Sequence, residues 1–169
     1  MSDILFKTEN YIFSYRVAGI CVQGGKVLLQ TCGNDPGYAF PGGHVAFGET
    51  NAQTLTREFK EEIDADISVG DLKWVAEIFF PWGDKPCHQI CLYYMVTINS
   101  PDTPKDGMFM AREHLEGREF NIEYHWIPLD KVKDIEIYPK NAGELLGELN
   151  GVARHFIYRE ENADSIKQG

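Results

Sequence analysis

The sequence has no long apolar run, no CxxC pair, no surplus of basic residues, no internal repeat and no low-complexity linker. Without a stretch of ~20 apolar residues it offers no membrane-spanning helix. The start MSDILFKTEN also lacks the basic-then-apolar order of a secretory leader. The cytoplasm is therefore the expected compartment, and no membrane partner is expected. The four cysteines, Cys21, Cys32, Cys87 and Cys91, are expected to stay reduced there. Cys87, His88 and Cys91 are competent zinc ligands, but CHQICLYYMV alternates like a strand, which sends the two cysteines to one face and His88 to the other. The strand reading is preferred. A net charge of −10 argues against a nucleic-acid polymer as partner, because such proteins present a basic surface to phosphate. A small phosphorylated ligand remains compatible if cations bridge it to the protein.

What is present is a globular composition, 43% hydrophobic and 25% charged over 169 residues. It is expected to form a single domain over 1–169 with frayed ends at about 1–10 and 160–169. RVAGICVQGGKVLLQ reads as two strands, 17–22 and 26–30, joined by a glycine turn. Tyr38-Ala39-Phe40 reads as a short strand between loops rich in Gly, Asn, Asp and Pro. From Thr50 to about Asp64 the pattern turns helical, with Ala52, Leu55, Phe59 and Ile63 on one face. Two aromatic and β-branched runs, 74–80 and 87–98, flank the turn PWGDKP as a long hairpin. The polar span 99–120 reads as a long loop, 125–129 as a strand, and 141–158 as a second helix weakened by Gly147 and Gly151.

The unusual feature is REFKEE, residues 57–62. On a helix, Glu58, Glu61 and Glu62 fall within an arc of ~100° beside the apolar stripe, at the edge of the core. Most glutamate-rich helices simply present a solvated face. Here, however, Lys60 points away from the acids, and Arg57 can orient one carboxylate without neutralising three. The helix is also entered from the glycine turn PGGHVAFGE, whose backbone carbonyls are oxygen ligands. Carboxylates plus a carbonyl suit Mg²⁺ or Mn²⁺ better than zinc.

The stretch Gly43–Ala65 resembles the box of the Nudix hydrolase family. Gly43 is followed at the family's spacing by Glu49 and then by Arg57-Glu58-Phe59-Lys60-Glu61-Glu62-Ile63. The departure is Asp64, where the family prefers glycine. The resemblance implies an α/β fold, an α/β/α sandwich with a mixed β-sheet between helices. It also implies Mg²⁺-dependent hydrolysis (Mn²⁺ being the alternative cation) of a nucleoside diphosphate linked to another moiety, by water attack on phosphorus. On that resemblance, Glu58, Glu61, Glu62 and the Gly42 carbonyl bind metal, Arg57 positions a glutamate, and Gly43 and Glu49 support the cluster. The general base is Glu61 or Glu58, with Glu113, Glu116, Glu119 and Glu123 as candidates outside the box.

The expected partner is a small nucleotide, and a homodimer is left open. Pro81 lies 16 residues after Ala65, resembling a proline of family members that cleave ADP-ribose, and it fits plain turn chemistry equally well. ADP-ribose or a nucleotide sugar is the favoured substrate type. Nucleoside triphosphates or oxidised nucleotides are the alternative, and a non-catalytic nucleotide-binding module is a reading of another class. Phe13, Tyr15, Tyr38, Phe40, Phe80 and Trp82 can supply a flat partner for a base, Arg16 can reach a phosphate, and His88 can reach a sugar.

Overall fold

The glycine turn at Gly24-Gly25 has both residues at positive φ (58° and 73°), as a two-residue hairpin turn requires. It joins β3 (Val22–Gln23) to β4 (Lys26–Cys32). The computed structural model describes residues 2–115 and 118–163, with backbone alone at 113–115 and 118. The first strand of the expected hairpin is divided. β2 (Ile12–Ile20) belongs to a larger mixed sheet, and the chain passes at Cys21 into β3 and a second sheet.

The larger sheet has the order β1 (Leu5–Lys7), β2, β7 (Lys85–Ile98), β6 (Ile67–Trp82), β10 (Arg154–Arg159). β5 (Gly42–His44) extends β2 beyond β1. β2 runs parallel to β7 and β10 parallel to β6, while the other pairs are antiparallel. The smaller sheet is antiparallel, in the order β3, β4, β9 (Arg118–Pro128), β8 (Met108–Leu115).

Alternation along β2 feeds two cores. Val17 packs with Leu55 and Phe59 of α1 (Asn51–Ile63) on one face, whereas Ala18 and Ile20 pack with Trp74, Tyr93 and Leu146 on the other. Burying Leu55 and Phe59 contributes roughly 1.5–3 kcal/mol each. Helical segments therefore cover both faces: α1 on one, and on the other the 3₁₀ turns Val132–Asp134 and Leu146–Glu148 with α2 (Ala142–Leu145). This is the expected α/β sandwich around a mixed sheet.

Both ends of α1 are fixed locally. Thr50 is the N-cap and exchanges hydrogen bonds with Gln53 in a capping box. At the C-terminal end Asp64 adopts the left-handed conformation (φ 50°), with its N–H donating to the Lys60 carbonyl and its carboxylate 2.7 Å from the Lys60 ammonium. Aspartate thus performs the αL turn for which glycine is the usual residue. Ala52, expected on the buried stripe, is exposed, and Thr54 is buried instead.

Three expectations about elements are overturned. The span 99–120 is not a loop throughout, because β8 and the start of β9 form a hairpin within it. Phe109 and Ala111 pack inward while Met108 and Met110 are exposed, the alternation of an edge strand that charged neighbours obscured. The second helix ends after one turn. Its last apolar residues belong to β10, where Phe156 and Tyr158 face inward and Ile157 outward. Finally, Leu5–Lys7 is paired with β2 rather than frayed.

Candidate active site

At Gly42 and Gly43 the backbone is packed too closely for a side chain. A Cβ on Gly42 would meet the Val17 carbonyl oxygen at 2.1 Å, and one on Gly43 would meet the Glu58 carboxyl at 2.2 Å. α1 then presents Arg57, Glu58, Glu61 and Glu62 to a cleft of ≈ 510 Å³ that they line with Gly42, Gly43, Arg16, Gln30 and His44.

Arg57 organises the cleft floor. Its Nε and Nη2 donate to the two Glu49 oxygens at 2.9 and 3.0 Å, and its Nη1 donates to Glu58 at 2.7 Å and to Glu61 at 3.3 Å. Thr54 also donates to Glu49, at 2.8 Å. The Arg57 guanidinium, helped by Thr54, holds the Glu49 carboxyl below its ordinary range. Burial pushes Glu58 the other way, above that range, against the pull of Arg57. Glu62 accepts a hydrogen bond from the Tyr124 hydroxyl at 2.8 Å, whereas Glu61 is 62% exposed.

The expected metal-binding residues therefore share one cleft, but among the described residues no three acidic, histidine or cysteine side chains converge on a single point. Glu58 and Glu62 are held by Arg57 and Tyr124, and the Gly42 carbonyl accepts from Arg16 at 3.1 Å. The site nonetheless fits a divalent cation in its chemistry. Its donors are all oxygen, Gly43 leaves the space the Glu58 carboxylate fills, and a buried acceptor in the lining, Gln30 Oε1, has no hydrogen-bond partner.

A second cavity of ≈ 410 Å³ adjoins this cleft, and Arg16 lines both. Phe40, Phe80, Tyr93, Tyr138 and Tyr158 contribute its aromatic walls, and Gln89, Asp35 and Glu160 also line it. Burial pushes the Cys91 thiol there up to about 11 and raises the Tyr93 hydroxyl well above its ordinary range, so both are neutral. Gln89, Tyr158 and Glu160 are among the lining residues beyond the expected substrate contacts. Gln89 was legible from the alternation that also assigns Cys87 and Cys91 to the inner face, but Tyr158 and Glu160 arrive through the parallel pairing of β10, which has no local signal.

Of the other expected substrate contacts, Arg16, Phe40, Phe80 and Pro81 line the aromatic cavity. His88 does not. It is exposed on the opposite face of β7, stacked on Phe79 with centroids 4.4 Å apart. Phe13 and Tyr15 share that opposite face, and Tyr38 packs edge-on against His125 instead. Pro81 pairs with Pro86 beside a turn at Gly83 (φ 63°), so its position also serves the hairpin. Glu123 contacts His125 at 3.0 Å and Glu119 is exposed. Glu116 and the Glu113 side chain lie outside the described residues.

A family model described as the NUDIX domain matches residues 14–146. A Mycobacterium tuberculosis protein described as a putative 8-oxo-dGTP diphosphatase 2 is 30% identical over 151 residues, covering 81% of this chain and 91% of that protein. Among solved structures, a UDP-X diphosphatase superposes with a TM-score of 0.58 at 15% identity. That match covers 85% of this chain and 66% of the other, just under two thirds. An ADP-ribose pyrophosphatase from Streptococcus suis superposes with a TM-score of 0.55 at 14% identity, over 87% of this chain and 98% of that one. At these identities the structural likeness is one of fold.

Proposed function

The chain belongs to the Nudix hydrolase family, and from that premise we propose that it is a divalent-cation-dependent hydrolase of a nucleoside diphosphate linked to a second group. The observation that carries this reading is the adjacency of two unlike cavities through Arg16. One has walls of aromatic rings suited to a base. The other is acidic and suited to cation-bridged phosphate.

In this reading the base enters among Phe40, Phe80 and Tyr158, and the rim acids Asp35 and Glu160 repel phosphate from that end. Arg16 meets the phosphates at the junction, releasing the Gly42 carbonyl it holds in the free chain. Glu58, Glu61, Glu62 and the Gly42 carbonyl would hold Mg²⁺, or Mn²⁺ in its place, which would supply charge neutralisation and a lowered pKa for water. Arg57 keeps Glu49 and Glu58 oriented. Glu61, exposed and tied among the described residues by a 3.3 Å contact to Arg57, is the carboxylate best able to turn toward the attacking water and take its proton. Glu58 is the alternative base.

A second reading, cleavage of an oxidised or normal deoxynucleoside triphosphate, is favoured by the description of the relative at 30% identity. One panel tests both: ADP-ribose, nucleotide sugars, dinucleoside polyphosphates, 8-oxo-dGTP and the normal dNTPs, each with Mg²⁺, with Mn²⁺ and with chelator. Cation-dependent release of a nucleoside monophosphate is expected, and its strong loss in both Glu61→Gln and Glu62→Gln. Full turnover in both variants, or in chelator, would remove the metal-site reading.

A further inference from the structure

Resting on the hydrolase reading above, we propose that the acidic cleft ends in a second ring-binding subsite, formed by Trp82, His44 and Lys7. It would hold the group on the far side of the diphosphate, so the substrate carries a ring at both ends.

The observations are independent of the carboxylate cluster. Phe80 and Trp82 alternate onto the same face of β6, with ring planes 21° apart and centroids separated by 6.2 Å. Across from Trp82, His44 of β5 continues the row at 6.1 Å and 23°. The three rings therefore form one strip with nearly parallel planes. Phe80 lines the aromatic cavity, while Trp82 and His44 line the acidic cleft, and Arg16 stands between. A strip that leaves the base cavity and continues past the phosphate position has no task for a substrate ending in phosphate.

The polar atoms along it point the same way. Among the described residues, three buried side-chain atoms lack a hydrogen-bond partner, and two of the three, His44 Nε2 and Gln30 Oε1, belong to residues that line this cleft. A buried polar atom without a partner costs about 1–3 kcal/mol, and a bound group relieves that cost. At the Trp82 end that atom is the imidazole Nε2, which can exchange a hydrogen bond with a sugar hydroxyl. The apolar face of a pentose, a hexose or a second base fits over the indole. The Lys7 ammonium lies 5.2 Å from the Trp82 ring centroid in the free chain, on a long stem that can move to the rim of an incoming ring. A terminal phosphate, by contrast, finds no hydrogen-bonding use for an indole face.

The test compares kcat/KM for ADP-ribose, a nucleotide sugar and a dinucleoside diphosphate with that for ATP and dGTP, at fixed Mg²⁺, in the wild-type chain, Trp82→Ala and Trp82→Phe. The wild type is expected to favour the two-ended substrates by about tenfold or more. Trp82→Ala should reduce that preference by about tenfold through a higher KM, and Trp82→Phe should restore most of it, the size expected for one stacking contact. The melting temperature of each variant separates a lost contact from a lost fold. An equal fall on both substrate classes in a folded Trp82→Ala protein, or a wild-type preference for triphosphates, overturns the subsite and leaves the hydrolase reading standing. If no nucleotide is cleaved, the hydrolase reading itself fails and the subsite falls with it.

Discussion

Arg57 grips Glu49 through two nearly parallel hydrogen bonds, 2.9 and 3.0 Å, and with its remaining nitrogen reaches Glu58 at 2.7 Å. A bidentate pair of this kind fixes both partners in direction as well as distance. It ties the loop before α1 to the second turn of that helix.

Glu49→Gln should therefore lower stability at neutral pH by about 2 kcal/mol, the size of a hydrogen bond to a charged group. The sign of the pH dependence follows from the direction of the shift. The Glu49 carboxyl is held below its ordinary range in the folded chain. Its contribution is present above the unfolded glutamate pKa and is lost as pH falls through the lower folded value. Urea denaturation of both proteins should give a wide gap at pH 7 that narrows in acid. A gap of constant width across that range would contradict the assignment.

The neighbouring glycines should respond differently to alanine. At Gly43 the added methyl meets the Glu58 carboxyl, the end of a side chain that can be displaced. Gly43→Ala should fold with a modest fall in melting temperature and lose most of its cation-dependent turnover. At Gly42 the methyl meets the backbone at Val17 and Ala18, which cannot move without unpairing β2 and β5. Gly42→Ala should be the less stable protein of the two, and thermal melts beside an activity assay separate the outcomes.

Asp64 invites the opposite change. Its left-handed conformation costs a non-glycine residue roughly 1 kcal/mol. The Lys60 contact that accompanies it joins exposed side chains and returns little. Asp64→Gly is expected to raise the melting temperature by about 2–4 °C, as ~1 kcal/mol does in a chain of this size. An unchanged or lower melting temperature would show that the aspartate side chain stabilises the turn by more than its backbone strain costs.

Tyr124 orients Glu62 from β9 through its 2.8 Å hydrogen bond. If Glu62 binds a cation, Tyr124→Phe should weaken Mn²⁺ binding by about 10- to 100-fold, the usual effect of removing a hydrogen bond that orients a ligand. The buried aromatic ring and its packing on Phe109 would be retained. Direct titration of Mn²⁺ reads this without an assay for turnover, and unaltered affinity would remove Glu62 from the binding set.

Some of this protein was written locally. The helix bounds at Thr50 and Asp64, the glycine hairpin and the long β6–β7 hairpin depend on capping, turn chemistry and periodicity within a few residues, and those signals survive in a linear reading. The crowding of Arg57, Glu58, Glu61 and Glu62 on one side of a helix follows from the same local geometry. The β8–β9 hairpin and β10 were obscured because edge strands with charged outer faces carry a weak alternation. In addition, one helical turn followed by a strand imitates a continuous helix.

The sequence by itself determined which residues are acidic, where α1 begins and ends, and which family the chain resembles. Only the tertiary structure decided that Arg57 reaches back to Glu49 and that Tyr124 from a distant strand holds Glu62. It also brought Tyr158 to the aromatic cavity and left His88 on the opposite face. The physical reason is that helix periodicity is a short-range property, whereas sheet order and register bring together residues whose separation along the chain carries no signal of their contact.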